Sequence, residues 1–238
     1  MLVFVRNLCF IFVLFLSRQG VTRSTEIPIF VSLGSYCRPA HILKDCNMRH
    51  AAYPFDWIMS FDGEGLIQAL NEDFKYFLDL DCLIPYGDDA CISNTAYNFQ
   101  LIHEGKFLPS TFAENFARLC QKYQRRIDRF NRLGEYKGKV YFIRESFCDI
   151  FDTRFLYSPA EACREISDEF AMRLFDTIQR KFPALNAHLI VINHSDGPML
   201  EVEKIMRERI VFVKTNHAFP MAEFTKEMKL FYEQLLND

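Results

Sequence analysis

The stretch Ile27-Pro28-Ile29-Phe30-Val31-Ser32-Leu33-Gly34-Ser35-Tyr36-Cys37 decides how the chain is read. Residues 27–33 form an apolar run of the length and β-branched content expected of a buried strand, and a helical pattern opens near Cys37 and runs to Cys46. Gly34 supplies the tight turn between them and lets the backbone approach a neighbour closely. A thiol at the start of a helix, just past a strand, meets outward-pointing backbone N–H groups and the positive end of the helix dipole. Those conditions lower a cysteine pKa and enrich the nucleophilic thiolate. Cysteine is equally a small hydrophobe suited to a core, so position alone leaves both roles open for Cys37.

Working outward, the alternation of patterns continues. Residues 65–77 have helical spacing (Leu66, Ile67, Leu70, Phe74, Phe77), residues 78–93 read as irregular surface, and residues 97–102 are strand-like. Residues 111–133 read as a long helix with Phe112, Phe116, Leu119, Tyr123, Ile127 and Phe130 on one face. Three apolar runs follow, at residues 140–143, 189–192 and 210–213. The pattern places a helix over about residues 159–182 between the first two and a shorter one over about residues 199–207 between the last two. A final helix spans residues 222–236. Apolar strands separated by amphipathic helices predict an α/β fold: a mostly parallel sheet with helices on both faces, Rossmann-like and three-layered.

In such sheets ligands gather at the carboxyl ends of the strands. Those ends carry Cys37, His103-Glu104-Gly105, Arg144-Glu145-Ser146, Asn193-His194-Ser195-Asp196 and Lys214-Thr215-Asn216-His217.

Of 238 residues half are hydrophobic and 25 are Phe, enough for a large core and incompatible with global disorder. Residues 25–238 read as one α/β domain. A net charge of -3 gives no basic excess for nucleic acid. The basic run over residues 121–132 interleaves Arg125, Arg126, Arg129 and Arg132 with Ile127 and Phe130, the pattern of a solvated helix face. In residues 1–24, Arg6 precedes nine apolar residues (8–16) and then a polar stretch, which describes a signal peptide and hence a secreted or exported protein. An uncleaved N-terminal membrane anchor is the alternative. Beyond that segment stand Cys37, Cys46, Cys82, Cys91, Cys120, Cys148 and Cys163, an odd number, so a secreted monomer keeps at least one free thiol. The chain has no CxxC, HExxH, calcium-loop, GxGxxG or P-loop pattern. The expectation is no metal and no cofactor, with a peptide or small molecule as substrate.

The block Val31-Ser32-Leu33-Gly34-Ser35-Tyr36-Cys37, followed by Arg49 and by Pro54-Phe55-Asp56-Trp57-Ile58, resembles the family catalogued as "putative papain-like cysteine peptidase" (domain of unknown function 1796). A later strand ending in His103 and the Phe142-Ile143-Arg144 strand are similar as well. The resemblance implies a papain-like α+β fold as an alternative, Cys37 as nucleophile and His103 as general base, with the imidazole within hydrogen-bond reach of the sulfur. Asp56 is the candidate to orient that ring, although an Asp after Pro54 also suits a turn. No Gln stands shortly before Cys37, so backbone N–H groups of the turn are the candidate oxyanion donors.

Arg144, His194 and Trp57 are the substrate-binding candidates. Arg144 offers a fork of donors to an anion. Its neighbour Glu145 leaves the strand toward the opposite face. His194 suits a base or a sugar-hydroxyl contact, and Asn193-His194-Ser195-Asp196-Gly197 is also good turn chemistry and an N-glycosylation sequon. With these residues the competing reading is a Rossmann-like transferase or binding protein for sugars or sugar phosphates. His41, His50 and His217 read as surface or packing residues.

Overall fold

A computed structural model describes residues 26–60, 63–86, 91–104, 112–146, 165–195, 200–216 and 221–237. Residues 1–24, Asp196, His217 and the beginning of the helix expected from residue 159 lie outside the described residues. In chain order the elements are β1 (Ile29–Ser32), α1 (Arg38–Asp45), α2 (Glu64–Asn71), β2 (Leu83–Tyr86), β3 (Cys91–Asn94), β4 (Phe99–Leu101), α3 (Phe112–Asn131), β5 (Lys139–Glu145), α4 (Asp168–Lys181), β6 (Asn186–Ser195), β7 (Leu200–Met206), β8 (Ile210–Asn216) and α5 (Met221–Asn237). Among the described residues no helix is long and apolar enough to cross a membrane.

The main sheet has the order β1-β5-β6-β8-β7. Its first four strands run parallel, and β7 is antiparallel to β8 at the edge. The fold is therefore mixed α/β around a mostly parallel sheet. Successive side chains of a strand face opposite sides, and the core divides accordingly. Phe30, Tyr141, Ile143, Ile190 and Ile192 pack with Ile42 and Leu43 of α1 and with Phe224, Met228 and Phe231 of α5. Val31, Phe142, Leu189 and Val191 pack on the other side with Tyr123, Ile127 and Phe130 of α3, Leu174 and Ile178 of α4, and Phe99 and Leu101 of β4. Strands covered on both faces need apolar residues at every position, which is why they stand out as continuous runs.

Helix α4 starts where its chemistry dictates. The Ser167 hydroxyl accepts from the Phe170 N–H at 3.2 Å, Asp168 and Glu169 lie in the first turn, and Arg180 and Lys181 lie in the last.

Three expectations are corrected. Residues 200–206 form a strand, not a helix. Leu200 and Val202 alternate with Glu201 and Glu203, the segment pairs with β8, and a register shift lies between Val202 and Lys204. Charged side chains and an irregularity suit an edge strand. Residues 78–93 contain β2 and β3, which join β4 in a second, antiparallel sheet of three strands. Strands β2 and β3 span only four residues each, too short for alternation to show in the sequence. In consequence His103 leaves this second sheet and not the parallel one.

Candidate active site

The turn after β1 is held from several sides. The Leu33 N–H donates to the Ile143 carbonyl at 2.8 Å, the Gly34 backbone has φ +75°, and Ser35 has φ +87°. A Cβ on Gly34 would stand 2.9 Å from the Phe55 carbonyl oxygen, so the close approach requires glycine. Left-handed backbone at Ser35 costs about 1–3 kcal/mol and persists only where neighbours enforce it. Those neighbours are present. The Ser35 N–H donates to Ser60 Oγ at 3.4 Å, and the Ser60 N–H donates back to the Ser35 carbonyl at 3.0 Å. Arg144, almost wholly buried, donates to the Leu33 carbonyl (3.1 Å), to Ser60 Oγ (2.7 Å) and to the Ser60 carbonyl. The candidate anion ligand of the sequence is thus a clamp joining the Cys37 turn to residue 60. Beyond it Cys37 caps α1, and its carbonyl accepts from the His41 N–H at 3.0 Å.

Residues 53–60 form the hub of the site. Phe55 lies in an aromatic cluster with Phe74, Phe99 and Phe130 at centroid distances of 5.5–6.0 Å. One oxygen of the buried Asp56 carboxylate accepts from Arg49 Nε (3.1 Å), from Arg49 Nη2 and from the Tyr53 N–H (3.0 Å). None of these donors is an imidazole; Asp56 fastens its own loop. Burial pushes its pKa up, and Arg49 pulls the other way. Trp57, half-buried, meets His41 edge-on at 4.7 Å, His103 edge-on at 5.7 Å, and the Arg49 guanidinium at 5.3 Å. Met59 pairs with Gln100, exchanging both backbone bonds at 2.9 Å. Next to His103, Glu104 accepts from Lys122 (2.7 Å) and from the Tyr123 hydroxyl (3.0 Å), which anchors the β4 exit to α3. His103 is brought to α1 in this way, with Trp57 between. Its ring is partly desolvated though exposed at its rim, and that desolvation, followed by the nearby His41, holds it below the usual histidine range.

The Cys37 thiol does not have the low pKa expected of a helix start. Its own backbone N–H favours the thiolate, but burial pushes the pKa up more strongly and the charge of Glu145 adds to the rise. Glu145 ends β5 and is 0% exposed. Arg38 Nη2 stands 2.8 Å and His194 Nε2 3.1 Å from the same carboxylate oxygen. Burial alone would raise this carboxyl; Arg38, His194 and Tyr36 together outweigh it and hold the group ionised. The Arg38 guanidinium also lies over the Phe224 ring at 4.3 Å. The His194 backbone N–H donates to Ser146 Oγ at 3.2 Å, and the Ser146 backbone N–H donates to the Ile192 carbonyl at 2.7 Å. The neighbouring Asn193 is buried and clasps Ile166, accepting its N–H at 2.8 Å and donating to its carbonyl at 3.1 Å. The sequon therefore carries its amide inside the fold.

Sequence reasoning missed the partnership of Arg38, Glu145 and Tyr36. A signal was present: a cation in the first turn opposes the helix dipole and calls for an anion nearby. Of the described cysteines, Cys37, Cys46, Cys82 and Cys120 are free thiols. Among the described residues no three His, Cys, Asp or Glu side chains converge as a metal site.

A half-buried cysteine at a strand-to-helix turn, with the His194 imidazole and a buried carboxylate at the ends of neighbouring parallel strands, sits in a mixed α/β fold. The chain belongs to the family described as "putative papain-like cysteine peptidase", whose pattern matches residues 28–197. That span contains Cys37, Asp56, His103, Glu145 and His194. An uncharacterised protein of Acanthamoeba polyphaga mimivirus is 25% identical over 141 residues, covering 50% of this chain and 62% of that protein. The matched part is thus less than two thirds of that relative's length. No solved structure gives a significant match.

Proposed function

We propose that the protein is a cysteine-dependent acyl hydrolase, acting on a peptide or another acyl substrate, with Cys37 as nucleophile and an imidazole as general base. The observation that carries this reading is the placement of Cys37. The clamp of Gly34, Ser60 and Arg144 holds it at the mouth of α1, at the carboxyl end of β1. Because burial keeps the thiol protonated, attack requires a base that removes the proton as the sulfur–carbon bond forms. His103 is the base implied by the family pattern, and its depressed pKa leaves it neutral and able to accept a proton at pH 7. Backbone N–H groups of the Cys37 turn are the oxyanion donors in this scheme, and Trp57, with His41 beside it, forms a wall for substrate.

The reading as a Rossmann-like transferase or binding protein for sugars or sugar phosphates loses one of its three proposed ligand contacts, since Arg144 is engaged by Leu33 and Ser60. The test is hydrolysis of a panel of acyl substrates by the wild-type protein and Cys37→Ser. Turnover that disappears with the sulfur supports the proposal; turnover indifferent to it refutes the proposal. Export through residues 1–24 belongs to the same proposal, and N-terminal sequencing of protein recovered outside the cell checks it.

A further inference from the structure

We propose that His194, oriented by Glu145, is the general base for Cys37, the role that the family pattern implies for His103; this rests on the reading of Cys37 as nucleophile. Strands β1, β5 and β6 are neighbours in the sheet, so the Cys37 turn, Glu145 and His194 leave adjacent strands at one end. Glu145 is common to both partners: it touches the His194 ring at 3.1 Å, and its charge is felt at the Cys37 thiol. Nucleophilic catalysis needs a base that a third group holds in place. His194 meets that need twice, through Ser146 at its backbone and Glu145 at its ring. Its side chain is only 6% exposed, so solvent is largely kept from the ring.

His103 is different. Its neighbours are Trp57 and His41, and the adjacent Glu104 is engaged by Lys122 and Tyr123. His194 Nε2 lies 3.1 Å from the Glu145 carboxylate, and both hydrogen bonding and charge at that contact favour the ionised carboxylate. Such contacts tighten when substrate binds. Among the described residues Arg38, Tyr36, Tyr232 and the Cys37 thiol also interact with Glu145, and Arg38 keeps it ionised beside the ring.

In the step proposed, the Sγ proton passes to His194 while the Sγ–carbon bond forms and the carbonyl electrons move onto oxygen. Collapse of that oxyanion breaks the bond to the leaving group, which takes the proton from His194. Water then attacks the thioester, His194 accepts its proton and returns it to the sulfur, and the acid departs.

The experiment uses the full chain and p-nitrophenyl acetate, a small activated ester that needs no knowledge of the natural substrate. The burst of p-nitrophenol is followed against pH, and the acetyl group on Cys37 is located by mass spectrometry. His194→Gln is expected to slow acylation about 100-fold or more, a larger loss than in His103→Ala. Glu145→Gln is expected to lower the rate and displace the acid limb of the pH–rate profile, which mere loss of stability does not do. Near-UV circular dichroism checks folding, and His194→Asn serves as a second replacement. Wild-type bursts in folded His194→Gln and His194→Asn, or an equal loss in His103→Ala, overturn the inference and leave Cys37 in place. A wild-type protein without a burst, or a burst unchanged in Cys37→Ser, overturns the hydrolase reading itself.

Discussion

Arg144 and Glu145 are consecutive at the end of β5, and the alternation of the strand sends them to opposite faces. On one face Arg144 bonds a carbonyl of the β1 exit and both oxygens of Ser60, all of them fixed backbone or short side-chain groups. On the other face Glu145 meets two ionisable side chains, and its charge helps raise the pKa of the Cys37 thiol. A buried charge bonded to neutral, immobile partners works as a fastener. A buried charge balanced against titratable partners changes its surroundings whenever one of them gains or loses a proton. The same burial therefore yields a fixed clamp on one side of the sheet and a cluster of ionisable groups on the other.

Replacing Glu145 by Ala gives the largest effect, because it leaves Arg38 buried without its anion. The expected loss is about 3–5 kcal/mol of unfolding free energy, read by urea denaturation. Arg144→Ala is expected to cost about 2–4 kcal/mol through its charge-assisted bonds to Leu33 and Ser60. An Arg144→Ala protein as stable as wild type breaks the contrast. Gly34→Ala sharpens it, since the added methyl meets the Phe55 carbonyl and the left-handed backbone costs about 1–2 kcal/mol.

Acid titration separates the two kinds of carboxylate. The Glu145 pKa is lower folded than unfolded, so its contribution to stability is present above the usual glutamate value of 4.5 and is lost as pH falls through the folded value. Glu145→Gln is therefore expected to flatten the fall of Tm with pH below 4.5. Asp56 runs the other way. Its folded pKa is raised above 3.8, so any stability it adds is complete below the unfolded value and is lost as pH rises through the folded one. The smallest effect is spectroscopic: the His103 ring titrates below 6.5 by NMR, and a value at or above 6.5 removes the desolvation ascribed to its place beside Trp57.

Much of this was legible in the chain. The two-faced strands β5, β6 and β8 announce themselves as apolar runs, and the buried face of α3 (Leu119, Tyr123, Ile127, Phe130) follows from its spacing. The Gly34–Cys37 turn was legible because only glycine suits that approach to Phe55. Strand β4 was legible within residues 97–102, but β2 and β3 were not, being too short for a period to show. Strand β7 was read as a helix because its charged residues obscure the alternation that its pairing with β8 enforces.

The sequence by itself determined the alternation of strands and helices, the place of the thiol at a strand-to-helix turn, and the two motif blocks that mark the family. Those are local matters of periodicity and backbone conformation, and nearby residues encode them. Tertiary structure alone decided that Arg144 clamps the turn, that Asp56 serves its own loop, that His103 leaves a second sheet, and that Arg38 and His194 meet at Glu145. Burial and the company of distant charges set each of these roles, and both exist only once the strands are side by side.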